Sequence, residues 1–357
     1  MRTQAKWLVA VAVLTALTFG AGPAQAGLNF FDSFNDAALS IDGLGQSGTG
    51  GTISTNVPAG STVLAAYMYV TTTWNFGPFT DVTLTQGANS VVLPAAGGTL
   101  LSNANDAQVR RYDVTTFVTN NIVTGALNQD WVVDEAVSSS SDGTVLVVVY
   151  SHASTAGATA IIMDGELALN GDTTTLGFAP YVSGPVIMSL ASEFSAGGSQ
   201  FTIVDVTTSS NNVARRLTGC AGASDDGVVA NGALLTVGGI GDSTANPSPT
   251  CTTADDDELY DLAQGNSADA DPFISVGDTS LTLTTNNPSF DDNVFFLGLT
   301  AGFRVTDVDD ISTDAPTDDA PSDDTPSDDG PRVPAPAPLL LLGLGLLGAG
   351  IASRIRR

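Results

Sequence analysis

Apolar and polar residues alternate along most of this chain with a period of two. TVLAAYMYVTTTW (62–74) places Val63, Ala65, Tyr67 and Tyr69 on one face of an extended strand. DVTLTQGANSVVLP (81–94) reads as strand, glycine-containing turn, strand. GTVLVVVYS (143–151), ATAIIMDG (158–165), SQFTIVDVTT (199–208), TSLTLTT (279–285) and NVFFLGLTAGFRV (293–305) continue the pattern. β-Branched residues fill these runs, and Gly, Asn, Asp and Ser separate them. No heptad and no long 3.6-residue period is present. The expected fold is all-β, an antiparallel β-sandwich or jelly roll, built as two packed sandwich units.

A Tyr-Asp-aliphatic motif followed by a long apolar strand occurs once in each half. The first is Tyr112-Asp113-Val114 with TVLVVVY; the second is Tyr260-Asp261-Leu262 with VFFLGLT. These short matches place a boundary near residue 157, giving sandwiches over 27–157 and 158–305.

Charge changes the picture next. All 38 acidic residues lie within 27–329, against five arginines, Arg110, Arg111, Arg215, Arg216 and Arg304, and no lysine. That stretch therefore carries a formal charge of −33, which repels nucleic acid and attracts cations. Glutamate appears only at 135, 166, 193 and 258. The excess of aspartate suits turns and short metal loops rather than helices.

The two ends depart from the β pattern. Residues 1–26 have a basic start (Arg2, Lys6), an apolar core (Trp7 to Phe19) and Ala24-Gln25-Ala26, the layout of a cleaved secretory signal peptide. An uncleaved anchor is the alternative, disfavoured because the apolar run falls short of the ~20 residues that a span requires. Residues 315–329 are APTDD, APSDD and TPSDD, and proline-and-aspartate repeats of this kind cannot bury a core. A disordered acidic linker is expected over 306–332. The sequence from 333 to 357 runs VPAPA, then an apolar stretch from Leu339 to Ile351, then Arg354, Arg356 and Arg357. The apolar stretch predicts a short C-terminal transmembrane helix, its arginines on the cytoplasmic side.

This tail resembles the PEP-CTERM sorting signals of Gram-negative bacteria. Pro334-Ala335-Pro336 replaces the usual Pro-Glu-Pro, and Val333, Pro334, Pro336 and Ala337 match the V-P-x-P-A variant. The resemblance implies an exosortase-type transpeptidase as partner, transient anchoring at the inner membrane and delivery to the cell surface or matrix. A plain C-terminal anchor is the alternative. DDELYDL (256–262), GDTSLTLTTNNPSFDDNVFFLGL (277–299) and MDGELALNGDTTTLGF (163–178) look like stretches common in exported β-rich proteins bearing such tails. Those proteins are mostly without assigned activity.

Candidate chemistry is sparse. Cys220 and Cys251 are the only cysteines and are expected to form one disulfide; a reactive pair would suit C-x-x-C spacing instead. His152, the only histidine, stands at a strand end, and no G-x-S-x-G or H-E-x-x-H motif accompanies it. Calcium is the cofactor that clustered aspartates suit. Its candidate ligands are Asp255, Asp256, Asp257 and Asp261, and Asp291 with Asp292, with a solvated acidic loop as the alternative. Trp74, Phe76 and Phe79 form the one dense aromatic cluster, either a sugar platform or core packing. The expected function is a non-catalytic surface or matrix protein engaged in adhesion or exopolysaccharide biofilm. The alternative is a secreted carbohydrate-binding or carbohydrate-active protein.

Overall fold

The computed structural model describes residues 28–312, apart from 46–49, 73–78, 103–107, 136–140, 166–170, 194–200, 223–234, 247–248, 251–257 and 289–292. The signal peptide, the sorting motif, residues 313–332 of the linker and the C-terminal apolar run lie outside the described residues.

The described strands form four sheets, and every pairing is antiparallel. The first half runs β1 (Leu28–Asn35), β2 (Ala37–Gly45), β3 (Gly50–Thr55), β4 (Thr62–Thr72), β5 (Val82–Gln86), β6 (Asn89–Leu93), β7 (Thr99–Ser102), β8 (Val109–Asp113), helix α1 (Thr115–Asn121), β9 (Gln129–Asp134) and β10 (Ser141–Ser151). The second runs β11 (Thr159–Gly165), β12 (Asp172–Phe178), β13 (Val186–Glu193), β14 (Thr202–Thr208), β15 (Arg215–Ala221), β16 (Leu235–Val237), β17 (Leu259–Asp261), β18 (Ser280–Asn286), β19 (Asn293–Ala301) and β20 (Val305–Ser312).

The strand order repeats. One sheet of the first half is β2-β10-β4-β8, extended by β7, and it faces β3-β9-β5-β6. In the second half β11-β19-β13, with β17 also on β13, faces β12-β18-β14-β15. Adding nine to each strand number of the first sandwich gives the second, except that β7 pairs with β8 whereas β16 pairs with β13. The two Tyr-Asp motifs fall at the ends of equivalent strands, β8 and β17. In each the aspartate Oδ1 accepts a backbone N–H two residues on, from Thr115 at 2.9 Å and from Ala263 at 3.0 Å, while the tyrosine enters the core.

The boundary near 157 falls between β10 and β11, but the sandwiches exchange material across it. β1 is the edge strand of the second half's sheet, paired with β11 in register Leu28↔Gly165 to Asn35↔Thr159. Residues 28–35 therefore belong with the second sandwich and not with the first. The expected start of the linker also shifts. β20 continues to Ser312 on β12, because Val305 and Val308 pack on the core while the exposed Asp307 between them tolerates an edge position.

Three cores result, one within each sandwich and a third between them. The third core explains the sequence of β10. Val145, Val147 and Val149 face the partner sandwich, whereas Leu146 and Val148 face their own. A strand covered on both faces reads as a continuous apolar run rather than an alternation.

Two bulges override simple alternation. Between Val149↔Ala65 and Tyr150↔Val63 the register slips at Leu64, so Val63 packs on the first sandwich's core and not beside Tyr67 and Tyr69. In β19 the slip between Phe296↔Ala191 and Val294↔Ser192 turns both Phe295 and Phe296 into the seam. There they close on Tyr69 with ring centroids 6.0 and 5.3 Å away.

Candidate functional site

The seam between the sandwiches is not filled along its whole length. Where β19 passes residue 298, glycine replaces a side chain. A Cβ there would lie 2.8 Å from the Phe296 ring and 2.9 Å from Ile41 Cδ1. Phe296 and Ile41 thus close in on the glycine, and beside this contact lies a cleft of about 380 Å³, the size class of small-ligand sites. Ile41, Ile187, Ile240 and Leu259 give it aliphatic walls, and Ser40, Ser189, Thr300, Asn56 and Asn128 give it polar groups. No lining residue carries a formal charge, which is unusual ground in so acidic a chain.

The polar groups are held in place by backbone bonds. Ser40 Oγ accepts the Asn56 N–H at 2.9 Å, and Thr300 Oγ1 accepts the Leu39 N–H at 3.2 Å. Each hydroxyl keeps its own proton to offer. Ser189 Oγ donates to the Gly238 carbonyl at 2.5 Å, pinning the glycine turn 238–241 that forms one wall. The turn is tied to β2 by Ile240 N–H to Ile41 O, 3.0 Å, and closed by Gly239 N–H to Asp242 Oδ2, 2.5 Å. A side chain at Gly239 would clash with the Ile41 carbonyl, so only glycine permits this close approach. Asn128 holds a left-handed conformation at φ 50°, which asparagine tolerates well.

Carboxylates stand just behind the wall. Asp42 Oδ2 accepts the Ser54 N–H at 2.5 Å, and Ser54 Oγ donates to Asp130 Oδ1 at 3.0 Å. Burial pushes the Asp42 carboxyl up to about 6; the Ser54 and Gly43 N–H groups oppose that rise, and the charges of Asp242 and Asp130 add to it.

Elsewhere along the seam a buried clasp joins the sandwiches. Arg111 on β8 pairs with Asp164 on β11, and Tyr69 donates to the same Asp164 oxygen at 2.8 Å. The Arg111 guanidinium lies 3.3 Å over the Phe31 ring and 6.0 Å from that of Tyr67. Burial holds the Asp164 carboxyl above its ordinary range, against the opposing pull of Arg111 and Tyr69.

Those residues singled out in the sequence that the structure describes fall elsewhere. Asp261 spends its carboxylate on three donors, the Val186 and Ala263 N–H groups and Gln264 Nε2. Asp255, Asp256, Asp257, Asp291 and Asp292 lie outside the described residues. Among the described residues no group of three acidic, histidine or cysteine side chains is arranged to hold a metal ion. Cys220, buried at the end of β15, is disulfide-bonded, while Cys251 lies outside the described residues. His152 caps a 3₁₀ turn, its Nδ1 meeting Ser154 Oγ at 2.7 Å and Ser154 N at 3.1 Å. Phe79 is buried in the first core under the Arg110 guanidinium, 4.9 Å away, so it offers no platform; Trp74 and Phe76 lie outside the described residues. The cleft, the Asp42 group and the clasp had no sequence signal beyond small residues and the Arg110-Arg111 pair.

No family model matches the chain, and no curated protein matches it. Among solved structures, the crystal structure of the major capsid protein P2 from Bacteriophage PM2 aligns over 76% of this chain and 98% of that one. It does so at 12% identity with a TM-score of 0.19, a value that supports no inference.

Proposed function

We propose that the chain is an exported, non-catalytic protein of the cell surface or extracellular matrix, sorted through its C-terminal signal by an exosortase-type transpeptidase. Its working surface is the cleft between the sandwiches, which holds a segment of matrix polysaccharide. The cleft's lining carries this reading. A neutral sugar offers an apolar ring face to aliphatic walls and hydroxyl edges to carboxamides, hydroxyls and backbone. An uncharged pocket in a chain of formal charge −27 favours an uncharged ligand. The repeated strand order is that of a jelly roll, an architecture that lectin domains also use; this is support by fold-level likeness.

Ca²⁺ belongs to the proposal as a stabiliser of the aspartate-rich segments 255–257 and 291–292, bound through hard oxygen ligands. It raises the melting temperature relative to EDTA at fixed ionic strength, and Asp291→Ala with Asp292→Ala reduces the gain. Equal melting temperatures in the two conditions would remove calcium from the reading.

A glycan array on the mature chain, followed by calorimetry on the best neutral oligosaccharide, tests the cleft. Asn56→Ala with Asn128→Gly removes both rim carboxamides while leaving the backbone conformation accessible. The expected loss of affinity is at least tenfold. Silence across the array, or full affinity in the double variant, would exclude the cleft as the binding surface.

A further inference from the structure

Resting on the cleft as the surface that holds a neutral sugar, we propose that this sugar is N-acetylated and that its acetamido carbonyl accepts the Ile41 N–H. β2 is an edge strand. It pairs with β10 in unbroken register from Ala37↔Ser151 to Gly45↔Gly143, and its other edge borders the cleft. In an antiparallel ladder, alternate residues turn both main-chain groups toward the partner, and the residues between them turn both away. Leu39 and Ile41 turn theirs away from β10: the Leu39 N–H goes to Thr300 Oγ1 at 3.2 Å, and the Ile41 carbonyl accepts the Ile240 N–H at 3.0 Å. Thr300 and Ile240 both line the cleft. Between these two bonds, on the same edge, lie the Leu39 carbonyl and the Ile41 N–H, and neither meets a protein group among the described residues. Ile41 is only 7% exposed, so folding has taken its surroundings largely out of bulk water. Buried main-chain groups are almost always paired, so whatever fills the cleft must offer an acceptor for one group and a donor for the other.

An acetamido sugar answers both demands. Its amide carbonyl is the kind of acceptor that a strand-edge N–H ordinarily meets, and a ring hydroxyl beside it donates to the Leu39 carbonyl. The acetyl methyl suits the aliphatic wall opposite β2. There Ile187 and Leu259 stand half-buried on neighbouring strands, paired as Ile187↔Asp261 and Ser189↔Leu259, with Ile240 beside them. No lining side chain is charged, which matches an amide and disfavours the free amine or carboxylate of other sugar classes, whose charge would be buried unpaired. A plain hexose has only hydroxyls to set against this edge and no methyl for the wall. Losing a hydrogen bond to a buried group together with an apolar contact weakens binding by about tenfold or more.

Calorimetry on the mature chain with matched sugars tests this. The pairs are N-acetylglucosamine and glucose, N-acetylgalactosamine and galactose, N-acetylmannosamine and mannose, and chitotetraose and cellotetraose. The acetylated member of at least one pair is expected to bind about tenfold or more tightly than its counterpart. Hydrogen exchange read in ¹H–¹⁵N spectra follows the donor itself. In the free chain the Ile41 amide is expected to exchange faster than those of Ser40 and Asp42, which face β10, and to slow about tenfold or more when the acetylated sugar binds. Ile41→Pro removes the N–H and keeps the carbonyl that Ile240 uses, at an edge position where proline is tolerated. It is expected to erase the preference while leaving the affinity for the unacetylated sugar unchanged. Should that variant not fold, the wild-type Ile41 exchange decides. Equal affinity within every pair overturns the inference and leaves the function proposed for the cleft standing. So does an Ile41 amide already protected in the free chain, or one that the acetylated sugar leaves unchanged. Silence toward every sugar overturns the inference together with that function.

Discussion

Replacing Arg111 with methionine removes the cation of the inter-sandwich clasp while keeping apolar volume against Phe31. The side chain is 14% exposed and that of Asp164 7%, so the variant strands a carboxylate in a nearly dry seam. Breaking a buried pair from one side typically costs about 3–5 kcal/mol. Here the cost has a ceiling, because Asp164 can take up a proton and keep its contact with Tyr69. Holding an acid of ordinary pKa near 3.9 neutral at pH 7 costs about 4 kcal/mol, and each pH unit below that returns about 1.4 kcal/mol. The expected loss is therefore about 3–4 kcal/mol at pH 7 and roughly 1.5 kcal/mol at pH 5. Urea unfolding of the mature chain at both pH values measures it. Adding Asp164→Asn to Arg111→Met is expected to recover much of the loss at pH 7, since no charge is then left unpaired. A loss below about 1 kcal/mol at pH 7, or one equal at the two pH values, would refute the view of the clasp as a desolvated ion pair.

Other expectations follow from single groups. Glu135 is fully buried, and burial pushes its carboxyl up to about 7, the nearby charge of Asp134 adding to the effect and Ser141 opposing it. The folded state then binds a proton that the unfolded state releases, so stability falls as pH rises from about 4.5 to 7, by about 3 kcal/mol from this group. Glu135→Gln should flatten that slope, and a slope unchanged in urea melts at pH 5 and 8 would contradict the assignment. Alkylation without reductant should find no free thiol in the folded chain, and reduction should cost about 3–4 kcal/mol; two titratable thiols would exclude the Cys220 bond. Intact mass of surface-released protein should show cleavage near 334–338, whereas a mature chain retaining Arg356-Arg357 would exclude processing there.

Strands were legible where apolar runs are long. β4, β10, β11 and β19 each stand out because side chains on one or both faces are buried and the residues are β-branched or aromatic. Gly87, with φ 59°, marks the β5–β6 hairpin as the sequence suggests. The bulges at Leu64 and Phe295 were not legible, because register slips depend on the partner strand and leave no local mark. Nor was the placement of β1, whose LNFFDSFN pattern fits the edge of either sandwich. The cleft was hidden for another reason. Its walls come from residues 39–41, Ile187, Ser189, 238–241, Leu259, Gly298 and Thr300, with Asn56 and Asn128 beside them, all uncharged, and only the seam brings them together. Sequence patterns reveal chemistry most readily in reactive side chains, and this site is lined by none.

The placement of β1 has a kinetic consequence. Its hydrogen-bonding partner, β11, begins more than a hundred residues later in the chain, and β19, which completes that sheet's centre, begins only at residue 293. A chain released from its N-terminus first cannot close the seam until nearly all of it has emerged. Such long-range pairings carry a large loop-closure cost and slow the rate-limiting step. The first sandwich can assemble from β2 to β10 alone, but it would wait with the seam face of Val145, Val147 and Val149 bare until the second arrives. Folding should therefore proceed through a half-finished species that binds hydrophobic dyes, and this species should decay in step with the burial of Phe295 and Phe296.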